Sequence, residues 1–213
     1  VSRIVEDLAQ NIAPPPDTRF RKLLGEQAWL SLPPKVRARF SKHVGAGDTA
    51  VYVGRTTQMR LNLAGRVLVG MLRLIGGPLP FSTDTGTASV VTVTEDAARG
   101  GQVWTRLYAR RRGMPQVIHS TKMFAGPTGL EEHVGCGIFM RLRVGVEDGR
   151  LVFRSAGYFI GLGRLAIGLP RLLAPGALTV THAETGPDSF VFTLKLAHPR
   201  LGCLLYQAVE FRD

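Results

Sequence analysis

Three small groups of residues have types and spacings that could do chemistry. In the segment QVWTRLYAR, strand-like alternation puts Trp104, Arg106 and Tyr108 on one face and Val103, Thr105 and Leu107 on the other. An arginine between two aromatics can stack on their rings while its planar fork stays free for a carboxylate or phosphate. If that face lines a cavity, Arg106 is the anion-reading residue of the chain; if it faces outward, the same ladder merely covers a sheet. In LTVTHAE, His182 and Glu184 share a face with Val180, so the carboxylate could orient the imidazole for acid–base work. A structural hydrogen bond, or an ion pair from Arg106 to Glu184 or Glu131, accounts for the same residues. His119 and Ser120 are adjacent and point to opposite sides of their strand, which excludes a dyad made of those two alone. Glu131, Glu132 and His133 stand beside a turn, where solvent exposure is the expectation. An enzyme reading would use His182 or His119 with Glu184 or Glu131.

Motifs for the better-marked chemistries are absent from the chain: no GxSxG, no GxGxxG after a strand, no GxxxxGK[ST], no HExxH and no CxxC. A His/Glu pair supplies too few ligands for zinc. No metal and no cofactor are therefore expected, and a binding module is favoured over an enzyme.

The elements that must position these side chains read clearly in the second half. From Ala88 onward the apolar period is two, with turn signals every eight to twelve residues, which predicts an antiparallel meander. Asp148 and Gly149 are its clearest hairpin dipeptide. Earlier, Asp17 is placed to cap a short helix carrying Phe20, Leu23 and Leu24, and a second short helix follows Pro33 and Pro34 with Val36 and Phe40 aligned. Leu61, Ala64, Leu68, Met71 and Ile75 form the stripe of the longest helix, which Gly76, Gly77 and Pro78 stop. The expected fold class is α+β and β-dominated: a strongly curved antiparallel sheet or partial barrel of about ten strands around that one main helix. Residues 1–16 read as an N-terminal arm and 17–213 as a single domain.

The 213 residues carry 27 Lys+Arg against 16 Asp+Glu, a formal charge of +11, so anions of some kind should be attracted. Nothing matches a zinc finger, a KH loop or an aromatic RNP strand, and nucleic acid is set aside as a partner. Cys136 and Cys203, both flanked by apolar residues, are expected as free core thiols of a cytoplasmic protein. No apolar run reaches the length of a membrane span, and residues 1–20 show no signal-peptide core. The stretch GLGRLAIGLPRLLAP, 161–175, reads in two ways. It is either a buried connection with one helical turn at Pro170 to Leu173, or a lid that touches an anionic membrane through Arg164 and Arg171, with Leu165, Leu172 and Leu173 dipping between head groups.

An ordered set of segments carries a resemblance: FRKLLGEQAWLSLPPKVRARF, LIGGPLP, VWTRLYARR, GLEEHVGCGIFMRLRV, EDGRLVFRS, LPRLLAPGALTVTHAE and FTLKLAHPRLGCLLYQ. With Trp104-x-Arg106, Ser120, Glu131, Gly135, Pro170, Pro175, Glu184, Pro199 and Gly202 in their places, the chain resembles the bacterial domain-of-unknown-function family 4166 from about Arg19 to Phe211. Tyr108 stands where other members commonly show Phe. The resemblance implies a domain found alone or joined to a Rossmann-type oxidoreductase, hence a ligand-presenting or partner role, and it carries over no catalytic residues. Any reduction would need an oxidoreductase partner. The combined expectation is a cavity that holds a small apolar or amphipathic ligand with an anionic head, read by Arg106 between Trp104 and Tyr108.

Overall fold

The computed structural model describes residues 15–163, 165–170 and 173–213. Three short helices come first: α1 (Arg19–Leu24), α2 (Glu26–Leu30) and α3 (Pro34–Phe40). They are followed by β1 (Ala50–Leu61), the helix α4 (Leu63–Leu72) with a 3-10 turn over Arg73–Ile75, and then strands only. These are β2 (Ala88–Asp96), β3 (Gly101–Tyr108), β4 (Gln116–Met123), β5 (Glu131–Gly135), β6 (Ile138–Glu147), β7 (Arg150–Leu162), β8 (Leu165–Gly168), β9 (Ala177–Gly186), β10 (Ser189–His198) and β11 (Gly202–Arg212). Most of the expected arm, residues 1–14, lies outside the described residues.

Each strand pairs antiparallel with its neighbour in sequence, β8 with β9 excepted; β1 pairs with β11, and β6 and β9 both pair with β7. The ring is therefore closed. Ten strands form an up-and-down barrel, and β8 is an eleventh that folds back on the far end of β7 alone. Closure corrects the expectation of a partial barrel: joining the last strand to the first satisfies the two rows of backbone groups an open sheet would expose. The β6–β7 hairpin turns at Asp148 and Gly149, with φ of 49° and 71°, the left-handed pair that a tight hairpin requires.

The barrel does not wrap a central helix. Its interior is filled by inward side chains, among them Phe153, Phe190, Phe211, Leu142 and Leu205, which leaves no room for a helix some 10 Å across. Instead α4 lies across one end, on the start of β11. Asn62 caps it, accepting from Gly65 N–H at 2.7 Å and donating to Leu201 C=O at 2.9 Å. Gly65 is required there, since a Cβ would meet Leu204 O at 2.0 Å. Along α4 only Gly65 and Val69 are buried, and Met71, expected on the core stripe, is exposed.

The opposite end is covered by α1 to α3. Phe20 and Phe40 meet edge-on at 5.0 Å and both reach Phe153 in the barrel interior. Asp17 does serve the start of α1: its Oδ1 accepts from Arg19 N–H at 2.9 Å, one residue ahead of the formal cap Thr18. Cys136 and Cys203 are free, as expected, but both are exposed rather than in the core. They stand at strand ends, Cys136 in a turn at φ 51°. The 161–175 stretch is not a buried connection either. It contains β8, all four residues of which are exposed, then a turn in which Leu173 and Ala174 N–H donate to Pro170 C=O. Arg164, Arg171 and Leu172 lie outside the described residues.

Candidate functional site

Strand parity decides what reaches the interior. On β3, Trp104, Arg106 and Tyr108 share one face, as the alternation predicted, and that face lines an interior cavity of about 90 Å³. On β4 the inward positions are Ile118, Ser120 and Lys122; on β5, Glu132 and Val134. Register brings the polar ones together. Lys122 lies directly opposite Glu132 across β4 and β5, and Trp104 opposite Ser120 across β3 and β4, so Arg106 reaches Ser120 on the diagonal.

One carboxylate oxygen gathers this cluster. Glu132 Oε1 accepts from Ser120 Oγ at 2.6 Å, from Lys122 Nζ at 3.0 Å and from Arg106 Nη2 at 3.1 Å, while Arg106 Nη1 donates to Ser120 Oγ at 3.0 Å. Lys122 Nζ also stands 4.9 Å from the centre of the Trp104 ring. Burial would raise the Glu132 carboxyl, but the two cations and the Ser120 hydroxyl outweigh it and hold the group down at about 2. Lys122 is pushed down, first by desolvation, with Glu132 acting the other way. Burial pushes the Tyr108 phenol up, so it stays neutral at physiological pH. Two basic side chains thus share a single carboxylate. Arg106 has five N–H donors and Lys122 three, more than their bonds to Glu132 and Ser120 engage.

The rest of the cavity wall is apolar, with Val91, Met140, Leu178, Val180, Phe192 and Val209 around it. At the α4 end it is bounded by Pro78, Leu79 and Pro80, part of the long connection 76–87 that crosses the barrel mouth. The Leu79–Phe81 part of that strap is held by one side chain. Gln116 Nε2 donates to Leu79 C=O at 2.9 Å, and Gln116 Oε1 accepts from Phe81 N–H at 3.0 Å.

The structure disperses the other candidates. His119 is on the outer face, exposed, 2.9 Å from Thr105 Oγ1, because its parity on β4 is opposite to that of Ser120. Glu131 also faces out, meeting Arg141 Nε at 3.2 Å, and it is Glu132, expected in solvent, that is buried in the cavity. The partner of Arg106 is therefore Glu132, not Glu131 or Glu184. His182 is fully buried toward the α1–α3 end, packed against Phe40, Phe190 and Phe192. Desolvation and the nearby Arg39 hold it down at about 3. Glu184 does not orient it: both Glu184 oxygens are taken by Arg39, whose Nη1 is 3.3 Å from His182 Nε2 and whose guanidinium also bonds Asp213. Neither His119 nor His182 converges on an accessible point with Glu131 or Glu184; the imidazole that does approach a carboxylate is that of His133, whose Nε2 lies 3.7 Å from Glu131 Oε2 on the outer face, away from the cavity.

Sequence reasoning missed Lys122, Ser120 and Glu132 as members of the cavity cluster, and Arg39 at the other end. Lys122 and Ser120 carried a usable signal, since they share parity with Ile118 on a strand whose neighbour presents Arg106. Glu132 did not: in EEH both parities hold an acid, and only the pairing register selects one.

No curated protein and no solved structure matches this chain. Its family is nevertheless plain, because the family model described as "Domain of unknown function (DUF4166)" matches residues 32–211. The chain belongs to that family.

Proposed function

We propose that the barrel binds a small apolar or amphipathic molecule with an anionic head, held by Arg106 and Lys122. One observation carries the reading: two basic groups share one carboxylate inside an otherwise apolar cavity. Buried charges are expensive unless paired, and replacing such clusters by apolar residues commonly stabilises a protein, so stability alone gives little reason for this one. A ligand carboxylate or phosphate would complete its pairing. Up-and-down barrels of similar size enclose a single small ligand, and this one has the same closed architecture. A cavity of about 150 Å³ admits benzene. At about 90 Å³ the interior accepts a compact or short-chain group as it stands, and a longer one requires the strap over the mouth to move.

Displacement of a fluorescent fatty acid by unlabelled carboxylates of increasing chain length tests this, with mass spectrometry of the organic extract of the purified protein beside it. Arg106→Ala should weaken binding about ten- to a hundred-fold, as expected for losing a charge-assisted hydrogen bond of roughly 1.5–3 kcal/mol. No uptake by the wild-type chain, or equal affinity in the variant, would refute the proposal.

A further inference from the structure

The two ends of the barrel differ in chemistry, and we infer that the α4 end is a docking surface for an anionic lipid membrane. Among the described residues, ten of the fourteen exposed large apolar side chains stand at that end. Leu63, Val67, Met71 and Leu74 come from α4 and the turn after it, and Met114 from the β3–β4 loop. The remainder are Leu162, Leu165 and Ile167 of the β7–β8 hairpin, with Leu173 and Leu201 on the connections beside it. The hairpin and the helix share one rim: Gly161 N–H donates to Gly137 C=O at 2.8 Å, and a Cβ on neighbouring Gly135 would lie 3.8 Å from Ile75 O. Scattered exposed leucines mean nothing on their own, but a concentration on one rim marks an interaction site.

Charge names the partner. Among the described residues, the connections at this end, 62–87, 109–115, 136–137, 163–176 and 199–201, hold six arginines and one acid, Asp84. Asp84 is already occupied by Ser82 Oγ and Arg111 N–H. Among the described residues no ion pair involves Arg66, Arg73, Arg112 or Arg200, all of them exposed. At the α1–α3 end several cations are matched instead, Arg19 with Asp17 and Glu95, Arg21 with Glu26, Lys35 with Asp188 and Arg39 with Glu184 and Asp213, and among the described residues Lys22, Arg37 and Lys42 are in no ion pair. By sequence the connections at that end, 15–49, 97–100, 124–130, 148–149, 187–188 and 213, hold eight bases against six acids, whereas at the α4 end arginines without an ion pair among the described residues stand among exposed leucines. A bilayer with acidic head groups fits that pattern: apolar side chains enter the acyl boundary while arginines stay at phosphate depth. A soluble protein partner of ordinary composition would have to supply a surface both strongly acidic and apolar.

This surface is independent of what the cavity holds. Sedimentation of the full chain with sucrose-loaded vesicles, pure phosphatidylcholine against phosphatidylcholine with phosphatidylglycerol, provides the test. Binding should require the anionic lipid and fall steeply between 50 mM and 500 mM salt, as the screening length shortens. Arg66→Glu with Arg200→Glu should lower partitioning at least about ten-fold, and Leu74→Ser with Leu165→Ser should lower it too. Lys22→Glu with Arg99→Glu, the same charge change at the other end, should leave it unaltered. Melting curves of all three doubles are expected to match the wild type, since every position is exposed. Equal loss from both charge reversals, equal binding to neutral vesicles, no binding, or a dimer that buries this rim in sedimentation equilibrium would each overturn the inference.

Discussion

Acidification acts on two buried side chains in different places and over different ranges. The His182 imidazole is held at about 3 against an ordinary 6.5, so the folded state prefers it neutral. Its contribution is complete above pH 6.5 and is lost as the pH falls from there toward 3, because the unfolded chain binds the proton more readily. The Glu132 carboxyl is held at about 2 against 4.5, so its contribution is complete above pH 4.5 and disappears as the pH falls toward 2. His182→Leu should separate the two. Leucine suits a site walled by Phe40, Phe190 and Phe192, and Arg39 keeps Glu184 and Asp213 as partners. At pH 7 the variant is expected within about 1.5 kcal/mol of wild type. Denaturant midpoints between pH 6.5 and 4.5 should become nearly flat while the fall below 4.5 remains. A variant that keeps the full slope above pH 4.5 would assign that titration to other groups.

At the scale of elements, Gln116 holds the Leu79–Phe81 part of the strap 76–87, and Asp84 to Thr87 are held separately by Arg55, Thr56 and Arg111. The side-chain amide imitates a backbone unit, giving one donor to Leu79 and one acceptor to Phe81, while the guanidinium groups of Arg73 and Arg110 both lie within 5.0 Å of the centre of the Phe81 ring. Gln116→Leu removes both hydrogen bonds without emptying the volume. Stability should fall by about 1–3 kcal/mol. Hydrogen exchange at the Phe81 amide is expected to rise at least about ten-fold, with faster release of any cavity probe; unchanged exchange at that amide would show that this part of the strap is held elsewhere.

Such elements were unequally legible. Ten strands were readable because period-two runs such as Gln102 to Tyr108 end at glycine or proline turns, and β8 was not, because LAIG lies between glycines with every side chain exposed. Helix α4 was readable as a helix but not as a lid, since a leucine stripe looks the same whether a core or another surface covers it. The cavity face of β3 was legible from parity. The carboxylate that completes it was not, because the choice between Glu131 and Glu132 is made by pairing with β4.

At the scale of the whole molecule, the strand pairings of the barrel join strands close in sequence with one exception, the seam between β1 and β11. Leu61 pairs with Leu205 and Val53 with Arg212. About 140 residues separate the two sides of that seam, so at ordinary rates of 5–20 residues per second a ribosome needs roughly 7–30 s to supply the second side. Through that interval β1 has β2 beside it and an open row of amides and carbonyls on its other edge, with Val51 and Val53 on its surface. A chain stopped before Gly202 should therefore fail as a whole rather than lose one strand: both β1 and β10 become edges, and Phe211, Val209 and Leu205 leave the core. Turbidity of a translation product ending at Pro199, compared with one ending at Asp213, checks this; a soluble short product with cooperative melting would contradict it. The seam makes the birth of the protein a timed event, in which the strand laid down first must be sheltered from other chains until the one laid down last arrives.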